Sequence, residues 1–469
     1  MAFWDLLEQY HERIALITET GDTVHYSELL RQADEIGQAI GKRCLVFSMC
    51  RNCADSVAGY VGFLRHNIVP VLLAEQIDEA LLKNLLNTYH PAYFYLPCGH
   101  GFEEISGRTV WTNGKYTLLQ LDYDQDYRLA DELALLLTTS GSTGSPKLVR
   151  QSVKNIESNT RSIVEYLGIR EDDRAITTLP MSYTYGLSII QSHLYQGASI
   201  ILTEATLMDK RFWSLLKDQG ATTFGGVPYV YEMLKKLRFG RMNLPQLRYL
   251  TQAGGKLSKE LAEEFSQICQ QKGMEFIVMY GQTEATARMA YLPWEYAQSK
   301  AGSMGIAIPG GRLWLSDGDG NPIEEPEVVG ELIYCGENVT LGYAQSRFDL
   351  AKPDENQGVL HTGDMAKRDV DGFYYIVGRK KRFLKLFGSR VNLDEVEGLL
   401  KHQGFDCACA GVDDHMDVYV TGKGQQEAAA AFIREHTSIN HGGFQVHFID
   451  CIPRNEAGKV LYSALGDRT

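Results

Sequence analysis

Along the chain, short runs of Val, Ile, Leu and aromatic residues alternate with longer stretches in which apolar positions recur every three or four residues. The runs at 44–49, 68–73, 92–96, 175–179, 200–203, 249–253 and 276–279 predict strands. The stretches at 56–66, 78–89, 153–167, 209–217, 229–237 and 259–272 predict amphipathic helices between them. Such alternation over 42–375 predicts α/β layers with largely parallel sheets. Beyond Leu313 the texture changes to short strands and turn signals. The cluster Asp317-Gly318-Asp319-Gly320-Asn321-Pro322 reads as a turn, and Asp371-Gly372 as a hairpin turn. A β-rich subdomain is therefore expected after the α/β body.

A second change comes at 379–390, where six basic residues occur without an acid. The 79 residues that follow carry 6 basic and 12 acidic side chains and read as a small α+β unit. Asn392 is placed to cap a helix, with Glu395 completing a capping box. Val396, Leu399 and Leu400 would form that helix's buried stripe. The expected organisation is an N-terminal domain over 1–378 and a C-terminal lid over 379–469, with the hinge at 379–381. The N-terminal domain would hold two α/β lobes and the β-rich subdomain.

Composition narrows the class. A chain of 469 residues has room for about three domains. The formal charge of −13 excludes a protein that coats nucleic acid by neutralising phosphates. No apolar run reaches the ~18 residues of a membrane span, and the N-terminus lacks the pattern of a signal peptide. Nine scattered cysteines predict a reducing, cytoplasmic setting. Cys50 and Cys53 would need two further ligands to hold zinc, with Cys98 and His100 the visible pair; core packing is the favoured reading. Cys407 and Cys409 suit the alternation of a strand.

The strongest local signal is the apolar run 133–137 leading into Thr138-Thr139-Ser140-Gly141-Ser142-Thr143-Gly144-Ser145-Pro146-Lys147. Glycines let backbone N–H groups approach an anion, hydroxyls add donors and Lys147 adds charge, which suits a polyphosphate. It is not a Walker loop, because Pro146 precedes the lysine and Leu148 follows it.

This loop resembles the phosphate loop of the adenylate-forming superfamily, which comprises acyl-CoA synthetases, adenylation domains of nonribosomal peptide synthetases and beetle luciferases. Further matches follow in the family's order over roughly 23–459. Met279-Tyr280-Gly281-Gln282-Thr283-Glu284 is similar to its Tyr-Gly-x-Thr-Glu segment. There the aromatic would stack on adenine, Thr283 would bond a phosphate and Glu284 would hold Mg2+. Gly254, Gly255 and Lys256 match the segment along the adenine and acyl pocket. His361-Thr362-Gly363-Asp364 resembles the ribose motif, where a carboxylate accepts two hydroxyls. Ile376 and Arg379 would also contact the nucleotide, Lys381 matches the hinge and Lys385 a lysine of the second half-reaction. Pro453-Arg454-Asn455-Glu456-Ala457-Gly458-Lys459 resembles the C-terminal loop whose lysine serves adenylation.

The resemblance implies a ligase that activates a carboxylic acid with ATP and Mg2+ to an acyl adenylate. A thiol would then accept the acyl group. That thiol would belong to coenzyme A or to the phosphopantetheine of a separate acyl carrier protein. The acid pocket would include Tyr183 and Tyr185, with Gly225, Gly226 and Val227 as further wall. Amino-acid-activating members carry an Asp near the start of this segment, yet no Asp or Glu lies between Asp173 and Glu204. The expected substrate is therefore a small carboxylic acid lacking an α-amino group. The glycines suggest room for a bulky or long acyl group, such as a fatty acid. The rivals are an amino-acid-activating enzyme and a non-catalytic nucleotide-binding homologue. The latter would be expected to lose Glu284 or Lys459, and both are present.

Overall fold

The computed structural model describes residues 3–100, 105, 107–138, 147–386, 389–412, 414–437, 439, 441–454 and 460–465. They fall into two compact units. The first takes the chain up to Arg312 and returns for Cys335–Leu360. The second takes Leu313–Tyr334 and the chain from His361 onward. The expected boundary at 378/379 lies inside the second unit, which joins the β-rich segment to the C-terminal residues.

Two large sheets organise the first unit. A nine-stranded sheet has a parallel centre built from Ile14–Ile17, Ser199–Ile201, Arg174–Ile176, Thr223–Gly226, Tyr249–Gln252 and Glu275–Tyr280. An eight-stranded sheet has a parallel centre of Leu133–Thr138, Val69–Ala74, Leu45–Cys50 and Tyr93–Pro97. Every residue of Leu45–Cys50 is buried. A parallel strand covered on both faces needs such a continuous apolar run, which is why these strands are readable in the sequence. The helices Val153–Leu167 and Lys259–Lys272 have the predicted bounds. Ser152 and Ser258 cap them by accepting from the backbone N–H of Asn155 and Leu261.

The structure adds elements before the expected start of the alternation. Ile14–Ile17 joins the nine-stranded sheet beside Ser199–Ile201, and Tyr26–Ile40 packs as a helix. A four-residue strand is too short to signal a period, so its partner decides its conformation.

Both predicted turns close hairpins in the second unit. Asp317–Pro322 joins Arg312–Ser316 to Pro322–Ile323, and Gly372 turns the chain between Val359–Arg368 and Tyr374–Arg379. The C-terminal part packs helices Leu393–His402 and Gln426–His436 on strands Cys407–Val412, His415–Val420 and Phe444–Phe448. Two expectations there need correction. Asn392 caps its helix through the N–H of Asp394, and Glu395 forms no capping box. Leu399 is exposed, whereas Glu397 is buried in its stead. Glu397 can be buried because it accepts from Arg382, Lys401, Tyr462 and the N–H of Cys409. Cys407 and Cys409 face the core, as the alternation required. Cys50 is buried in the first unit, and burial pushes its thiol up to about 12. No cluster able to hold a metal through three or more His, Cys, Asp or Glu side chains occurs among the described residues.

One buried cation fixes the return of Cys335–Leu360 to the first unit. Arg150 is fully buried in strand Leu148–Ser152. Its terminal nitrogens donate to the carbonyls of Leu341, Lys352 and Pro353 and to Glu355. Arg150→Met keeps the volume but strands these acceptors. It should lower unfolding free energy by about 3 kcal/mol in urea titration, and a loss under ~1 kcal/mol would contradict this anchoring role.

Candidate functional site

The hydroxyl- and glycine-rich loop connects two antiparallel strands, because Thr138 faces Leu148 across the pair. Thr139, Ser140, Gly141, Ser142, Thr143 and Gly144 lie outside the described residues, as does Lys459. Of Lys381 and Lys385 only the backbone is described. Lys147 is described, at the loop's end. Strand Leu148–Ser152 pairs with Gly342–Ala344, so that Tyr343 faces Val149. Side chains on one strand face recur every two residues, which makes Lys147 the diagonal neighbour of Tyr343. Its Nζ stands 3.2 Å from the centre of the Tyr343 ring.

The tyrosine reaches the second predicted charge with its hydroxyl, which donates to Glu284 Oε1 at 2.6 Å. Burial and the adjacent carboxylate push the Tyr343 phenol well above its usual range, so it remains a donor at any working pH. Glu284 itself sits in a one-turn helix, Thr283–Ala285, just beyond strand Glu275–Tyr280. Gly281 lets the turn close, because a Cβ there would lie 1.7 Å from the Ala287 carbonyl oxygen. The segment 338–343 locks it. Thr340 donates its N–H and its hydroxyl to the Glu284 carbonyl, and Asn338 donates to the carbonyls of Ala285 and Arg288. Thr286 is held at φ +64 and donates its hydroxyl to the Asn338 carbonyl.

One carboxylate oriented by a neutral donor, beside a lysine, fits Mg2+ held mainly by phosphate oxygens. The set offers one protein carboxylate and positive charge for the phosphates. Met279 is buried, while Tyr280, Gln282 and Thr283 are partly exposed around the turn. The Gln282 amide donates to the Tyr280 hydroxyl at 3.2 Å.

The residues expected to line an acid pocket also come together. Tyr183 precedes helix Thr184–Tyr195 and Tyr185 lies in its first turn, with ring centres 6.5 Å apart. A Cβ at Gly225 would meet the Tyr185 hydroxyl at 2.7 Å, and one at Gly254 would meet the Tyr183 hydroxyl at 2.6 Å. At Gly226 it would meet Val230 at 2.5 Å, and Val227 is buried. Gly225 and Gly254 therefore make room for tyrosine hydroxyls and Gly226 for Val230, so the space beside each of these glycines is occupied by a neighbouring side chain. Gly254 also needs its φ of +83 to turn away from strand Tyr249–Gln252. Gly255 follows against Pro228, and Lys256 is exposed.

In the second unit, Asp364 and Arg379 are direct cross-strand partners. Arg379 Nε lies 2.6 Å from Asp364 Oδ1. Asp364 is buried and its N–H donates to the Thr362 hydroxyl. Ile376 sits on the strand leading to Arg379, opposite Ala366.

The family model described as AMP-binding enzyme matches residues 3–344. The chain belongs to the AMP-binding enzyme family. A 2-succinylbenzoate–CoA ligase of Geobacillus sp. (strain WCH70) is 30% identical over 351 residues, 72% of this chain and 69% of that one. A sulfoacetate–CoA ligase of Cupriavidus necator is 29% identical over 342 residues, 70% of this chain and 66% of that one. Among solved structures, the O-succinylbenzoate coenzyme A synthetase (MenE) of Bacillus subtilis in complex with AMP shares the fold. It superposes with a TM-score of 0.81 at 22% identity, covering 99% of this chain and 98% of that one.

Within this AMP-binding enzyme, sequence reasoning missed Tyr343. Tyr343 carries no local signal, since its two partners come from segments far away in sequence. Tyr343→Phe keeps the ring under Lys147 and removes the donor from Glu284. It should raise the Mg2+ needed for half-maximal binding of a fluorescent ATP analogue about tenfold, as loss of a bond to a charged group implies. An unchanged Mg2+ dependence would exclude this positioning role.

Proposed function

We propose that this AMP-binding enzyme is an acid–thiol ligase that converts a carboxylic acid lacking an α-amino group to its acyl adenylate. Coenzyme A is then the acyl acceptor. The observation that carries the reading is the meeting of Lys147 and Glu284 on Tyr343.

In the first step a carboxylate oxygen attacks the α-phosphorus of ATP in line. The bond to the β-phosphate oxygen breaks and pyrophosphate leaves. Lys147 neutralises the leaving phosphates, and Mg2+ held by Glu284 would supply further positive charge there. Lys459, as the family resemblance implies, would serve the carboxylate and the α-phosphate together and offset charge as the phosphorus becomes five-coordinate. Asp364 accepts the ribose hydroxyls, for which its ion pair with Arg379 must yield or be shared. Arg379 then has a phosphate as its alternative partner. In the second step a thiolate attacks the acyl carbon and AMP departs.

The same reading assigns 379–381 as a hinge between the 1–378 body and the 379–469 lid, with Lys381 changing partners and Lys385 serving the second step. The basic run 379–390 would face the phosphates of coenzyme A, and a separate acyl carrier protein is the second acceptor to assay. The tyrosine hydroxyls against Gly225 and Gly254 favour a compact acid over a fatty acid. No carboxylate stands among these pocket residues to hold an α-ammonium group, which disfavours an amino acid. Nine free cysteines suit the cytoplasm, and no described helix is long and apolar enough to cross a membrane.

ATP–pyrophosphate exchange that depends on added carboxylic acid is the assay. Lys459→Ala should slow exchange at least a hundredfold and leave binding of an ATP analogue nearly intact. Undiminished exchange would remove Lys459 from the first step.

A further inference from the structure

Thr286 carries the backbone strain of the site. It lies two residues beyond Glu284, is buried, and adopts φ +64 and ψ −65. The Ala287 N–H donates across it to the Ala285 carbonyl at 2.7 Å, which closes a three-residue γ-turn. This hand of γ-turn is the rare and strained one, and a β-branched residue is poorly suited to it. A glycine would relieve the strain. The chain keeps threonine and fastens it from two sides. The Thr286 hydroxyl donates to the Asn338 carbonyl at 2.8 Å, and the Thr286 carbonyl accepts from the Thr184 hydroxyl. Such strain persists only where the surroundings over-determine it, and it collects at working sites.

The two fasteners come from different places. Asn338 belongs to the segment that also holds the carbonyls of Glu284 and Ala285. Thr184 opens helix Thr184–Tyr195 and stands between Tyr183 and Tyr185. The start of this helix meets the Glu284 turn a second time, where the Arg288 guanidinium stands 4.0 Å over the Tyr185 ring. It is also packed without play, because a Cβ at Gly186 would lie 2.2 Å from the Pro180 carbonyl oxygen. A shift of the helix start therefore reaches the peptide between Thr286 and Ala287. The orientation of that peptide is the ψ of the strained residue. With the Thr184 donor in place the turn is held, and without it the peptide can rotate toward a relaxed ψ.

We propose that Thr184 and Thr286 are positioning residues that couple Glu284 to the helix start carrying Tyr183 and Tyr185, so that a Mg2+–nucleotide bound at Glu284 orders that helix start before any acid is present. The inference rests on the ligase reading above. A strained turn has a relaxed alternative close to it in energy, and a ligand that favours one of the two shifts the population toward it. The Thr184–Thr286 bond makes the helix start part of the same two-state element. Coupling of this kind is reciprocal, so a helix start ordered by nucleotide in turn favours nucleotide when an acid settles on it.

Amide hydrogen exchange of the segment 181–190 tests this, with Mg2+ and α,β-methylene-ATP as the ligands at saturation. In wild type, the analogue with Mg2+ should slow exchange of the segment about fivefold, and the analogue with EDTA should leave it unchanged. Thr184→Val keeps the shape of the side chain and removes the donor. It should still bind the Mg2+–analogue by calorimetry yet lose the slowing, and Thr184→Ser should regain it. No slowing in wild type, or equal slowing in Thr184→Val, would overturn the inference and leave the ligase reading standing. So would a Thr184→Ser variant that binds the analogue without regaining the slowing, because that marks a packing role. Absence of Mg2+–analogue binding by wild type would overturn the ligase reading, and this inference with it.

Discussion

Two opposite charges must stand close together here without cancelling each other. In the proposed reaction Lys147 serves the phosphates and Glu284 a cation, and a direct ion pair between them would satisfy both before any nucleotide arrived. Tyr343 prevents this. Its ring takes the ammonium and its hydroxyl takes the carboxylate, so each charge is oriented by a neutral partner. The arrangement follows from register. Pairing of Gly342–Ala344 with Leu148–Ser152 sets Tyr343 diagonal to Lys147, and Arg150 on the same strand fixes the returning segment from the inside. Asn338 and Thr340 carry the same constraint onward to the Glu284 turn.

Much of the fold was legible because parallel strands buried on both faces must be continuously apolar. Leu45–Cys50 and Val69–Ala74 are such strands, and the helices at 153–167 and 259–272 carry clear caps. What escaped depends on distant partners. Ile14–Ile17 is a strand because Ser199–Ile201 offers it an edge. The helix at 393–402 buries Glu397 because Arg382, which lies upstream of the helix, reaches it, and periodicity alone gives that place to Leu399.

The site shows the same division. The loop ending at Lys147, the Glu284 turn and the Asp364 strand announce themselves through local composition. Tyr343 does not, since its meaning lies in whom it touches. The glycines at 225 and 254 are the instructive case. A missing side chain reads as space in a sequence, yet here each absence is filled by a tyrosine hydroxyl. The net charge of −13 likewise describes the whole chain and says nothing of where a single cation such as Lys147 stands.

The central claim is that an acid oxygen becomes bonded to the α-phosphorus of ATP. Turnover with acid labelled with heavy oxygen in both carboxylate positions tests this directly, read as the mass of the released nucleotide. The account predicts AMP carrying one heavy oxygen once the acyl group has passed to coenzyme A. Unlabelled AMP, with label in phosphate or pyrophosphate instead, would contradict it.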